Sequence, residues 1–223
     1  MVDMNKLLGQ LLGSGAASGF AGGLAGGLAS SMLTGKKGRK MGVKALKMGG
    51  IAAVGALAYT AYQRYSSNKG VTSVLPSTAA PAELIAAPPG TAFMPRESDD
   101  AANEALGLTL VRAMIAASRS DGRLDAQESQ SIFEKIQLLG LDSESQSLLV
   151  EEMGHPVDMD AIVNSAVSPE IAAEIYAASL LAVEVDTAAE KGYLAMLAAR
   201  LRLPADLVVE LERQVEAQKA FAQ

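Results

Sequence analysis

Residues 168–204 read SPEIAAEIYAASLLAVEVDTAAEKGYLAMLAARLRLP, and the fold class turns on them. Ser168 followed by Pro169 is an N-cap with proline at the first helical position, where the missing N–H has no intrahelical partner to lose. Ile171, Ile175, Ala178 and Leu181 then recur at helical spacing, which predicts a helix over about residues 169–184 with these side chains inward. Thr187 with Glu190 three residues on forms a capping box and opens a second helix, running to about Leu201. Pro204 opens a third, to about Lys219, with Leu207, Val208, Leu211 and Val215 on its inner face.

The same period extends back to Ser98. A helix over about 99–119 puts Leu106, Leu110, Ala113, Met114 and Ala117 on one face, and Ser120-Asp121-Gly122 stops it. The next begins at Asp125, with Glu128 completing its cap, buries Ile132, Phe133, Ile136 and Leu139, and ends at Gly140. A helix from about Ser143 to Met153 and a short one from Asp158 to about residue 166 complete the set. With no strand pattern anywhere, residues 98–223 are expected to form an all-α domain of about seven helices, long enough for a core of its own. Met114, Met153, Met159 and Met196 fall at helical spacing and read as core filler.

An internal repeat suggests two related halves. Glu128 and Glu190 each stand 13 residues before a leucine that closes a Leu-x-Leu exit, Leu139-Gly140-Leu141 and Leu201-Arg202-Leu203. An acid, Asp125 or Asp186, precedes each glutamate.

Upstream of residue 98 the composition changes. Residues 71–97 hold five of the eight prolines and lack a sustained apolar period, so they read as a semi-extended linker. Residues 1–70 hold 15 of the 21 glycines and a net charge of +8, against −12 for residues 100–223. Between Lys6 and Lys36 lie 29 residues without a charge. Gly15, Gly19, Gly23 and Gly27 line one stripe there, which would let a second backbone approach closely, in a membrane helix or in a homo-oligomer. Lys36, Lys37, Arg39, Lys40, Lys44 and Lys47 form a basic patch, followed by 16 uncharged residues from Met48 to Gln63. Those 16 residues would span about 24 Å as a helix, short of a ~30 Å hydrocarbon core. Snorkelling by Lys44 and Lys47 would extend that reach, and Tyr59, Tyr62 and Tyr65 beside Arg64 resemble an interfacial aromatic belt. Residues 1–70 are therefore expected to contact membrane lipids, with a span over 48–65. The competing reading of 48–65 is an apolar helix buried in protein or lying on the membrane surface. For 13–33 it is a flexible low-complexity segment. The positive-inside rule puts the basic patch in the cytoplasm. Two of the three spanning geometries then put the C-terminal domain outside it, on the periplasmic side in a bacterium.

Composition also excludes chemistry. Without cysteine there is no disulfide, thiolate metal site or cysteine nucleophile, and the single histidine, His155, excludes His-rich zinc chemistry. No phosphate loop, nucleophile motif or cofactor fingerprint occurs. The basic patch lacks interleaved aromatics or a nucleic-acid-binding motif, so nucleic acid is not expected as a partner. Asp3 beside Lys6 and a Gly-rich apolar stretch argue against a cleaved signal peptide.

The stretch AASRSDGRLDAQESQSIF, the later LAVEVDTAAEKGYLAMLAARLRLP and the Gly-rich basic N-terminus resemble the tellurite-resistance TerB-like superfamily. Within it they are similar to the branch called domain of unknown function 533, which includes a bacterial inner-membrane protein. The resemblance implies an all-helical fold with two related halves, residence at the inner membrane and a part in envelope or metal/oxyanion stress through a protein partner. It also implies a metal-binding acidic cluster, although the second copy here lacks the Asp-Gly pair usual in the soluble members.

The candidate metal residues are Asp121, Asp125, Glu128, Asp186 and Glu190. Packed about a pseudo-twofold, the two helix starts would gather hard oxygen ligands suited to Ca²⁺ or Mg²⁺. The spacing is not that of an EF-hand, since Gly122 directly follows Asp121 and Ile132 stands where the twelfth-position glutamate belongs. The alternative is that Asp125/Glu128 and Thr187/Glu190 only cap their helices. The expected function is thus non-enzymatic: a membrane-anchored protein acting through protein contacts and divalent cations. The rival reading is a soluble divalent-metal module that oligomerises through its glycine stripe.

Overall fold

The helix of residues 169–182 is predominantly apolar, with Ile, Ala, Leu and Tyr around most of its circumference, and a helix of that kind has to be surrounded. In the computed structural model, which describes residues 3–13, 36–68, 84–120, 143–183 and 185–222, it is the central element. Eight helices are described: α1 (Met4–Gly13), α2 (Lys36–Asn68), α3 (Asp100–Ser118), α4 (Ser143–Gly154), α5 (Met159–Asn164), α6 (Pro169–Ala182), α7 (Ala188–Arg200) and α8 (Ala205–Ala222). Helix α6 packs against α2, α3, α7 and α8, and α1 lies on α2 and α3. The fold is all-α as expected. Among the described residues the one β-type pairing is an isolated bridge, Thr91 to Met94.

The local signals act as their chemistry requires. Ser168 accepts from the Ile171 N–H, with Pro169 in the first turn. Asp158 caps α5 through the Ala161 N–H. Asp99 caps α3 through the Ala102 N–H. Leu106, Leu110, Ala113, Met114 and Ala117 of α3 are all buried, as are Ile175, Ala178 and Leu181 of α6 and Leu207, Leu211 and Val215 of α8. Met196 departs from its expected place: it is 47% exposed on α7, while Met114 and Met153 are buried. The helix expected over 125–140, with its half of the internal repeat, lies outside the described residues.

The larger difference concerns the N-terminal third. Residues 48–65, expected to span a membrane, lie within α2 and are built into the protein core. Ile51, Val54, Leu57, Ala58 and Ala61 are buried in the same apolar cluster as Leu110, Ile175 and Leu211. Met4, Leu7 and Leu8 of α1 join them. Among the described residues no helix is long and apolar enough to cross a membrane. The physical reason is that a protein core and a lipid tail offer an apolar side chain nearly the same transfer energy, about 1.5–3 kcal/mol for a Val, Leu or Ile. The core adds close packing, and withdrawing α2 would strip cover from α6 and α8. Glycine makes that packing close: a Cβ on Gly50 would run into the backbone of Leu8 and Gly9, and one on Gly55 into the Phe93 carbonyl.

The linker expected over 71–97 is likewise ordered where it is described. Ala87 and Phe93 are buried, and the Ile85 N–H donates to Thr60 Oγ1 at 2.9 Å. Gly90, at φ +79°, turns the chain so that its N–H reaches the Met94 carbonyl at 2.7 Å. Phe93 meets Tyr59 and Tyr62 edge-to-face, with centroids 5.5 Å apart in both pairs. Tyr62 does the same with Tyr65 at 6.1 Å. The tyrosines read as a membrane belt are thus an aromatic cluster closed by a residue 28 or more positions later. The boundaries expected at residues 70 and 98 do not divide the core, which runs from α1 to α8.

Candidate functional site

Of the five candidate metal residues, Asp121, Asp125 and Glu128 lie outside the described residues. The other two stand at the start of α7. Thr187 Oγ1 accepts from the Glu190 N–H at 3.1 Å. Glu190 Oε2 accepts from the Thr187 N–H at 3.0 Å, the Asp186 N–H at 3.2 Å and the Thr187 hydroxyl at 2.9 Å. Glu190 is 4% exposed, and one of its oxygens serves three donors. This is the reciprocal capping box, and it accounts for the burial of Glu190 without a metal. Asp186 contributes its backbone N–H to the box, and its side chain is exposed. Among the described residues no group of three or more His, Asp or Glu side chains is placed to hold a metal ion.

Cationic side chains gather instead in a recess of about 360 Å³ between α3, the end of α4 and α5, lined by Arg112, Arg119, Glu152, His155, Asp158 and Ser165 among others. Arg112 meets Glu152 as a fork, Nε to Oε2 and Nη2 to Oε1, both at 2.7 Å. This charge-assisted pair raises the Arg112 pKa above its ordinary value. Glu152 is nearly buried and Arg112 half-exposed. Arg119, just past the end of α3, donates Nη1 to the carbonyls of Met153 at 3.2 Å and His155 at 2.8 Å. It thereby caps α4, where helix carbonyls lack partners and the dipole favours a cation. Its Nε is buried and has no acceptor among the described residues. Arg112 and Arg119 brace α3 to α4 and to the chain just after it. Among the described residues lining the recess none forms a nucleophile–base pair, and Arg119 Nε is the buried side-chain donor left open there.

Two features were not anticipated. Glu174, in the middle of α6, is 0% exposed, and among the described residues neither carboxylate oxygen has a hydrogen-bond partner. Burial, with a smaller contribution from the charge of Glu170, pushes its pKa well above the usual carboxylate range. The second is a pair of buried tyrosines. Tyr176 donates to Glu212 Oε1 at 2.9 Å, and burial raises its pKa; burial pushes Tyr193 up to about 12. The signal for Glu174 was present in the sequence. It stands three residues after Ile171 and one before Ile175, so a charge interrupts an apolar stripe.

The described residues thus define an all-α protein in which α1 and the apolar half of α2 complete the core of an acidic helical body. The chain belongs to the family described as "Protein of unknown function (DUF533)", whose model matches residues 7–215, from the first helix into the last. It is similar to a protein from Yersinia enterocolitica described as "Uncharacterized protein in ampR 5'region". The two are 26% identical over 110 residues, which cover 49% of this chain and 79% of the relative. No solved structure matches the chain.

Proposed function

We propose that this protein is a non-enzymatic, membrane-associated member of the TerB-like superfamily that holds its acidic body against an anionic bilayer and acts there through protein contacts. The observation that carries the reading is the placement of charge along α2. Its C-terminal half is spent in the core, whereas the segment Lys36–Lys47 carries six cations and follows 29 residues without any charge. Lys36, Lys40, Lys44 and Lys47 recur at the spacing that lines up on a helix. A polybasic helix beside an apolar segment is suited to an anionic headgroup layer, with roughly 1 kcal/mol for each cation near the surface. The acidic body, repelled by the same headgroups, would stay in water.

The mode of attachment proposed is a monotopic contact, because α1 and the apolar half of α2 are packed into the same body as α6 and α8. By the positive-inside rule the basic segment of α2 would face the cytoplasm. The absence of cysteine and the lone histidine support a binding role over catalysis. The TerB-like resemblance adds the setting of envelope or metal/oxyanion stress and a divalent cation at the acids of the 121–128 segment.

Sedimentation of the full chain with vesicles tests this. Binding to phosphatidylglycerol-rich vesicles, loss of binding in high salt and no binding to phosphatidylcholine vesicles are expected. Replacing Lys36, Lys37, Arg39 and Lys40 together by glutamine should weaken the binding with helicity unchanged. Equal indifference to both kinds of vesicle would end the proposal.

A further inference from the structure

A second recess, of about 430 Å³, lies between the C-terminal end of α2 and α8 and is lined by Tyr59, Gln63, Arg64, Ser67, Ile85 and Arg213. Two cations and one carboxylate meet at its wall. Arg213 forks onto Glu210, Nε to Oε2 at 3.1 Å and Nη2 to Oε1 at 2.5 Å. Gln214 Nε2 adds a donor to Oε1 at 3.1 Å. With Glu210 so occupied, Arg64 stands 3.7 Å from Oε1, within ion-pair range and beyond hydrogen-bonding distance. Its side chain is only 34% exposed, and among the described residues its guanidinium has no hydrogen-bond acceptor. Tyr59 accepts from Gln63 Nε2 at 2.8 Å, which leaves its own hydroxyl proton to donate. Among the described residues at this wall two guanidinium groups share one carboxylate, a local excess of one positive charge in a body that is otherwise strongly acidic.

We propose that this recess binds a phosphate group carried on a small organic ester, with Arg64 as the main ligand and Arg213 and Tyr59 as second and third donors. Guanidinium groups suit phosphate because their planar donors match two oxygens at once. Donors on two helices suit a tetrahedral anion better than a planar carboxylate. The volume exceeds that of a free phosphate, and Ile85 with the Tyr59 ring supplies an apolar wall for the rest of the ester. The site is separate from the basic segment Lys36–Lys47 proposed to meet the bilayer, so either proposal stands if the other fails.

Nitrogen-15 NMR titration of the full chain with inorganic phosphate and with glycerol 3-phosphate tests the site. Saturable shifts at amides of residues 59–67 and 210–214 are expected, with the ester binding more tightly than phosphate. Arg64→Gln should weaken both by about tenfold, the loss of one charge-assisted hydrogen bond. Tyr59→Phe, which keeps the ring against Phe93, should weaken them less. Displacement of the ester by phosphatidic acid vesicles assigns the phosphate to a lipid headgroup, and no displacement assigns it to a soluble ester. Both results support the site. No saturable shift with either ligand, or an equal loss in the control Arg200→Gln at an exposed position of α7, overturns it.

Discussion

Replacing Glu174 by glutamine should stabilise the protein at neutral pH and flatten the dependence of its stability on pH. The carboxyl is 0% exposed, its oxygens have no hydrogen-bond partner among the described residues, and Gly55 of α2 is close enough that an added Cβ would lie 2.9 Å from Oε1. Burial raises its pKa, so the folded protein holds a proton that the unfolded chain releases above its ordinary value near 4.5. A raised folded pKa means that this proton stabilises the fold in acid. Its cost grows as pH rises from the unfolded value to the folded one, and levels off above that. Within this window stability falls by about 1.4 kcal/mol per pH unit from this group alone. Glutamine has nearly the same shape and no proton to release. It keeps a buried, unpaired amide at about 1–3 kcal/mol, a cost independent of pH. Urea unfolding followed by far-ultraviolet circular dichroism, across a series from about pH 5 to about pH 8 spanning the ordinary carboxylate range upward, reads both proteins. The difference between variant and wild type should move in favour of the variant as pH rises. A difference constant across the series would refute the raised pKa of this buried carboxyl.

Three further substitutions probe the packing and the helix ends. Gly55→Ala places a methyl group against the Phe93 carbonyl and Glu174, and a loss of about 1–3 kcal/mol in urea unfolding is expected, with the emission of the Tyr59–Tyr62 cluster altered. Thr187→Ala removes the hydroxyl from both sides of the capping box and should cost about 1–2 kcal/mol; addition of Ca²⁺ should restore none of it, because capping rather than coordination is what is lost. Arg202→Gly should stabilise by about 0.5–1 kcal/mol in thermal unfolding, since Arg202 holds φ +55° in the turn that ends α7, a conformation that favours glycine.

That last turn shows how much a local pattern can carry. The Leu201 and Leu203 exit is closed by the Arg202 N–H on Ala199 and the Leu203 N–H on Ala198, a Schellman arrangement. The corresponding residue in the first copy of the repeat is Gly140, the residue type the geometry prefers. Helix starts at Asp158, Ser168 and Thr187 were legible for the same reason: a cap is a bond between residues three apart and needs nothing from the rest of the chain. The capping role of Glu190 was legible too, and with it the competing reading of that glutamate as an ion ligand.

Arg64 and Arg213 were not legible as a pair. Nothing in the spacing of residues 149 apart indicates that one glutamate on α8 would hold one of them and leave the other short of an acceptor. Nor did Arg112 and Arg119 stand out, since each becomes a brace only when α4 lies alongside α3. Glu174 was visible as a charge on an apolar stripe, but the burial that raises its pKa depends in part on the α2 backbone close to it at Gly55.

The amino-acid sequence on its own determined that the chain is helical, where most of its C-terminal helices begin and end, and that its charge is divided between a basic, glycine-rich start and an acidic remainder. These follow from periodicity, capping and composition, all of which act over one or two turns. Tertiary structure alone decided where the apolar half of α2 is buried. Hydrophobicity states that a side chain leaves water and does not state what receives it. A bilayer and the groove formed by α6 and α8 satisfy the same residues, and the choice between them rests on close packing at Gly50 and Gly55 that exists only once the helices have met.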